Sequence, residues 1–101
     1  MRALTGKKLR SVVTSFAGSA TVVQVSAGGL RYVRSFHANY IGAPAASDGP
    51  LSLNNTIVTS PGSGEKLIQV PQTGANAGKV ALTRAAGTTA GISVSLVLEG
   101  Y

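Results

Sequence analysis

The sequence predicts an all-β chain: a single-domain β-sandwich or jelly roll of about seven or eight short antiparallel strands, with a basic N-terminal arm. Three observations predict it. Extended segments rich in Val, Thr, Ile and Leu recur along 101 residues, separated by breaks of Gly, Pro, Asn and Ser. The closing segment Ile92–Glu99 alternates strictly, with Ile92, Val94, Leu96 and Leu98 on one side and Ser93, Ser95, Val97 and Glu99 on the other. No stretch of ten or more residues carries a helical period, and Glu, Lys and Gln are sparse. The chain divides into an arm, residues 1–8, and a sandwich domain, residues 9–101. A chain of this length forms one domain and buries roughly two-thirds of its unfolded surface.

In order, Leu9–Phe16 is β-branched enough for a first strand or the strand-like end of the arm. Ala17-Gly18-Ser19-Ala20 signals a turn. Thr21–Val25 is a short strand. Ser26-Ala27-Gly28-Gly29 supplies two glycines for a tight reversal, so residues 21–42 read as a hairpin leading into the long strand Leu30–Ile41. On that strand, alternation places Leu30, Tyr32, Phe36, Ala38 and Tyr40 on an apolar face, which Arg34 interrupts. Arg31, Val33, Ser35, His37, Asn39 and Ile41 fall on a mixed face. Gly42–Pro50, with two prolines and an Asp-Gly pair, is a surface loop of the kind that carries recognition. Leu51–Thr59 is extended, with Asn54-Asn55 marking a bulge or a turn between two short strands. Ser60–Gly64 is a turn, Glu65–Val70 a strand closed by Pro71, and Gln72–Gly78 a polar loop. Lys79–Arg84 alternates, with Val80 and Leu82 together.

Charge is unevenly distributed. Nine Lys and Arg stand against three acids, Asp48, Glu65 and Glu99, for a net charge of +6. Arg2, Lys7, Lys8 and Arg10 lie in the first ten residues, so past residue 10 five basic residues face three acidic ones. The arm is therefore the candidate contact with something acidic, either nucleic acid or a negative protein surface. Charged residues make up only 12% of the chain, about half the usual share of a soluble domain, which favours a surface partly covered by another subunit. There is no Cys, which excludes disulfides and thiolate zinc sites. No segment is long and apolar enough for a membrane span, and no apolar run follows the basic start, so we expect neither a membrane role nor export through a cleavable signal.

No residue set predicts catalysis. His37 is the single histidine, and a Ser-His-Asp relay needs Asp48 to reach it from the 42–50 loop. One His and three scattered carboxylates do not make a metal site or a glycosidase pair. Ser60-Pro-Gly-Ser-Gly-Glu-Lys66 lacks the Gly-Lys-Ser/Thr ending and the following helix of a phosphate loop. We expect no enzyme activity and no cofactor. Arg31, Tyr32, Arg34, Phe36, His37 and Tyr40 interleave basic and aromatic side chains as single-strand-binding sheets do. The alternation separates most of the cations from the aromatics, leaving Tyr32, Phe36 and Tyr40 as core residues with the hydroxyls at a rim.

The run Val25-Ser-Ala-Gly-Gly-Leu-Arg-Tyr-Val-Arg-Ser-Phe-His-Ala-Asn39 and the closing Ile92-Ser-Val-Ser-Leu-Val-Leu-Glu-Gly-Tyr101 resemble small virion proteins of tailed bacteriophages, with Ser26 where that group usually has Pro. These are β-sandwich proteins that decorate or cement capsids or sit at head–tail and tail joints. The resemblance covers about a third of the chain directly. It implies a structural protein in the virion, at the capsid surface or head–tail region, assembled in the host cytoplasm. It implies contacts with a major capsid protein or other virion proteins, and homo-oligomers, commonly trimers. On this reading Arg2, Lys7, Lys8 and Arg10 bind the partner, and Arg31, Val33, His37 and Ile41 form a subunit interface. A head–tail connector or tail component is the near variant, and a nucleic-acid-binding β module the alternative.

Overall fold

A computed structural model describes residues 8–58 and 63–101; for residues 56–58 and 63–67 it describes the backbone alone. Eight strands run in order: β1 Lys8–Ser15, β2 Val22–Ser26, β3 Tyr32–Ile41, β4 Leu51–Leu53, β5 Thr56–Val58, β6 Ser63–Gln69, β7 Lys79–Thr83 and β8 Ser93–Gly100. One turn of 3₁₀ helix, Ala46–Asp48, lies between β3 and β4. The strands form two antiparallel sheets, β1-β8-β3-β6 (sheet A) and β2-β7-β4-β5 (sheet B). This is the strand order of an eight-stranded jelly roll. The β4–β5 connection stays within a sheet, and every other connection crosses to the opposite one.

The β4–β5 hairpin is the one that local chemistry dictates. Asn54 and Asn55 sit at φ 47° and 73°, the two positive angles of a primed turn, which Asn tolerates better than other side-chain-bearing residues. Asn54 also extends the sheet, because its N–H donates to Ala81 O (3.0 Å) and its Oδ1 accepts from Ala81 N–H (2.8 Å). The tight reversal expected after β2 is present as well, with Leu30 N–H donating to Ala27 O at 3.2 Å. It does not make a hairpin: β2 pairs with β7, and β3 pairs with β8 and β6. Turn chemistry specifies a reversal and leaves the partner open; β8 offers β3 a far longer ladder than β2 can.

Alternate residues of the strands build one core, which includes Val25 on β2, Val33, Phe36 and Ala38 on β3, Leu51 and Leu53 on β4, Val80 and Leu82 on β7, and Val94, Leu96 and Leu98 on β8, with Val12 of β1 packed against it. Phe16, Ala27, Leu30 and Val70 close its ends from the loops. The alternation of β3 is broken once. Its register against β8 shifts between Val33 and Ser35, with Arg34 the extra residue. A bulge of this kind re-aims every residue beyond it. Val33 therefore lies in the core at 0% exposure, together with Phe36 and Ala38, while Arg34 points outward. The charge that interrupted the apolar face in the sequence is the bulged residue.

Candidate interaction surface

The outer face of sheet A is built by cross-strand rows that the two ladders align. Leu9 faces Glu99, which faces Ser35; Ser11 faces Val97, then His37; Val13 faces Ser95, then Asn39; Ser15 faces Ser93, then Ile41. Because side chains alternate, this face receives the residues that the core does not. Most of these are serines and aliphatics, with Glu99, His37 and Asn39 among them. Leu9 is 72% exposed, Val13 66% and Ile41 47%, three of the four large hydrophobic side chains most open to solvent among the described residues. Among the described side chains of these rows, charge lies at one end, where Glu99 accepts a hydrogen bond from the Ser35 hydroxyl (2.9 Å) and lies 3.8 Å from the Arg34 guanidinium.

That end is also where the cations gather. Lys8 pairs with Gly100, and Gly100 with Val33. Arg31 N–H donates to Tyr101 O at 2.7 Å, and Lys79 pairs with Ser26. Lys8, Arg10, Arg31, Arg34 and Lys79 therefore converge on one pole of the sandwich, although they are scattered over seventy residues of sequence. Arg10 spans the two sheets there, lying against Gly28 and donating from Nε to Ser26 O at 3.3 Å. Of the four cations expected to bind the partner, it thus sits on the domain and not on the arm. Arg2 and Lys7 lie outside the described residues, and Lys8 opens β1.

Of the residues expected at a subunit interface, His37 and Ile41 stand on the outer face and Arg31 is exposed beside the C-terminal residue. Val33 does not belong with them. The bulge at Arg34 turns it inward, and a residue sealed in the core contacts no partner.

The opposite pole holds a buried ionic cluster that sequence reasoning missed. Asp48 and Arg84 are fully enclosed, with Arg84 Nη1 3.3 Å from Asp48 Oδ1. Arg84 also donates from Nε to Ala20 O (2.9 Å), from Nη1 to Thr89 O (2.8 Å) and from Nη2 to Gly18 O (3.1 Å), and its guanidinium sits 4.4 Å above the Phe16 ring. Asp48 accepts the Thr89 N–H at Oδ1 (3.0 Å), and the Thr89 hydroxyl (2.6 Å) and Ala45 N–H (2.8 Å) at Oδ2. Every polar atom of the pair has a partner, which is the condition for burying charge. The Thr89 hydroxyl, followed by the two backbone N–H groups and Arg84, holds the Asp48 carboxyl below the usual range against the opposing effect of burial. Tyr40 donates its hydroxyl to Gly49 O (2.9 Å) and Asp48 O (3.3 Å), and burial raises its pKa.

This cluster ties together the β1–β2 turn, the 42–50 loop and the 84–91 loop. It is structural chemistry. The carboxylate of Asp48 is committed to Arg84, Thr89 and Ala45, so it orients no histidine, and His37 stands on the outer face of sheet A. The signal in the sequence was faint: an Asp in a proline-bounded loop and an Arg ending a strand, 36 residues apart. Beside it, Tyr40, Pro44, Ala46 and Pro50 help line a shallow recess of about 440 Å³. Among the described residues no three His, Asp or Glu converge as metal ligands, and no helix is long and apolar enough to cross a membrane. No family model, no curated protein and no solved structure matches the chain.

Proposed function

We propose that this chain is a non-enzymatic structural subunit of a virion, of the capsid decoration or cement kind, which works by packing against copies of itself and against a capsid protein. The observation that carries this reading is the outer face of sheet A. Leu9, Val13, Val97 and Ile41 stand there among serines, with charge at one end only among the described side chains. A face with so few charges costs little to desolvate and suits another protein surface better than water. Jelly rolls serve as capsid and lectin domains among others. Fold alone decides no function, so this likeness adds weight only beside the face and the resemblance in the sequence.

The cationic pole supports the second half of the reading. Lys8, Arg10, Arg31, Arg34 and Lys79 gather where the arm joins the domain, which suits docking on an acidic shell. The same pole, with Tyr32 and Tyr101 beside it, favours a nucleic-acid-binding module as the second reading. Copy number in purified particles from the source separates the readings. A stoichiometry comparable to the shell subunit supports decoration or cementing, and a single ring's worth indicates a connector or tail part. Absence from particles overturns the structural proposal, and steeply salt-dependent binding to DNA or RNA then identifies the alternative.

A further inference from the structure

Sheet A ends at β1, and among the described residues nothing pairs with the far side of that strand. The direction of its free backbone groups follows from one bond. Phe16 N–H, immediately after the strand, donates to Ile92 O at 3.1 Å. Hydrogen-bonding direction alternates along an antiparallel strand. Lys8, Arg10, Val12 and Thr14 therefore turn their N–H and C=O groups toward β8, and Leu9, Ser11, Val13 and Ser15 turn theirs outward from the sheet edge.

A long edge strand is a template for pairing, and natural domains usually blunt it with Pro, a bulge or a charge. From Ser11 to Ser15 β1 carries none of these. It carries the two most exposed large hydrophobic side chains of the described residues, Leu9 and Val13, on one face and four residues apart. Ser11 lies midway between them.

We infer that β1 pairs antiparallel with β1 of a second copy about a two-fold axis through Ser11, joining two sheets A into one continuous sheet. This rests on the reading of the chain as an assembling subunit and names the contact. The register is set by the residues themselves. Centred on Ser11, Leu9 faces Val13 of the other copy and Val13 faces its Leu9, so each exposed aliphatic covers the other. The small Ser11 side chains meet at the axis. Each of these three facing pairs lies on the free-edge side of the backbone and exchanges two N–H···O bonds. Lys8 and Arg10 face Thr14 and Val12 of the other copy, so neither cation opposes another cation. A shift of one residue would set the outward face of one copy against the inward face of the other. A shift of two, centred on Val12, would leave Leu9 opposite Ser15. The contact is isologous, as a closed dimer requires.

The test uses the purified full chain over a range of concentrations, with native mass measured by analytical ultracentrifugation. Alongside it, residue-resolved hydrogen exchange is followed by NMR. A dimer is expected, with the amides of Leu9, Ser11 and Val13 protected only where the dimer is populated and those of Arg10, Val12 and Thr14 protected throughout. Ser11→Lys, on the outer face, sets two ammonium groups together at the axis and should abolish the dimer while leaving the spectrum of the fold unchanged. Val22→Lys, at an exposed position on sheet B, should leave the dimer intact. A monomer at every concentration, or a dimer indifferent to Ser11→Lys, overturns the inference. So does protection of both sets of amides that does not vary with concentration. None of these results bears on copy number in particles, so this contact and the virion reading fail separately.

Discussion

Replacing Arg84 by Met removes the centre of the loop-tying cluster while keeping most of the buried stem. Four charge-assisted hydrogen bonds are lost, to Gly18 O, Ala20 O, Thr89 O and Asp48 Oδ1, together with the stacking on Phe16. At roughly 1.5–3 kcal/mol for each bond to a charged group, the gross loss is about 6–12 kcal/mol. Met needs no desolvation of a guanidinium, and that offsets part of it. Removing one member of a buried pair costs about 3–5 kcal/mol in practice. At about 4 °C per kcal/mol or more for a domain of this size, Tm should fall by at least about 12 °C. Urea denaturation followed by circular dichroism measures the loss, with an unchanged m-value certifying that the same surface is exposed on unfolding. Arg84→Lys should recover only part of it, since a single ammonium cannot reach acceptors on three loops at once. A loss below about 1 kcal/mol would refute the reasoning, showing the three loops to be held by packing and backbone bonds alone.

Acid should loosen the same pole. The folded state holds Asp48 below the ordinary value of 3.8, so its contribution is complete above that value and is lost as pH falls through the lower folded-state pKa. Denaturation midpoints taken from pH 7 downward should stay level until the ordinary carboxylate range and then decline more steeply than in Thr89→Ala, which lacks the hydroxyl that contributes most to the shift. Val33→Lys should prevent folding, because the core cannot solvate the ammonium, whereas Ile41→Lys should leave the thermal transition within about 0.5 kcal/mol of the parent; equal effects at the two sites would contradict the bulge at Arg34. At Gly87 an added Cβ would collide with the Ser19 carbonyl, a backbone group that cannot step aside. Gly87→Ala should therefore lower the urea midpoint clearly, and an unchanged midpoint would show that the 84–91 loop does not press on the β1–β2 turn.

The strands were legible in the sequence because a strand that buries a single face alternates, and a two-residue period survives any choice of pairing partner. Ile92–Glu99 shows this most plainly: Ile92, Val94, Leu96 and Leu98, which share one face, are all buried in the fold. The Asn54-Asn55 turn was legible for a local reason too, since positive φ at two successive positions selects its residues. The composition, with few charges and basic residues concentrated at the start, depends on no fold at all. These are properties of a residue and its near neighbours along the chain.

What the tertiary structure decided are relations between segments far apart in sequence. Turn residues after β2 specified a reversal but not its partner, so the expected hairpin became a crossing between sheets. The bulge at Arg34 depends on how β3 meets β8, and it moved Val33 from a surface face into the core. Asp48 met Arg84, Thr89 and Ala45 only once three loops were stacked at one pole, and the cations gathered at the other through strand register alone. Alternation along a strand is set by local geometry, whereas register and strand order are settled by the summed packing of both sheets, which no window of the sequence contains.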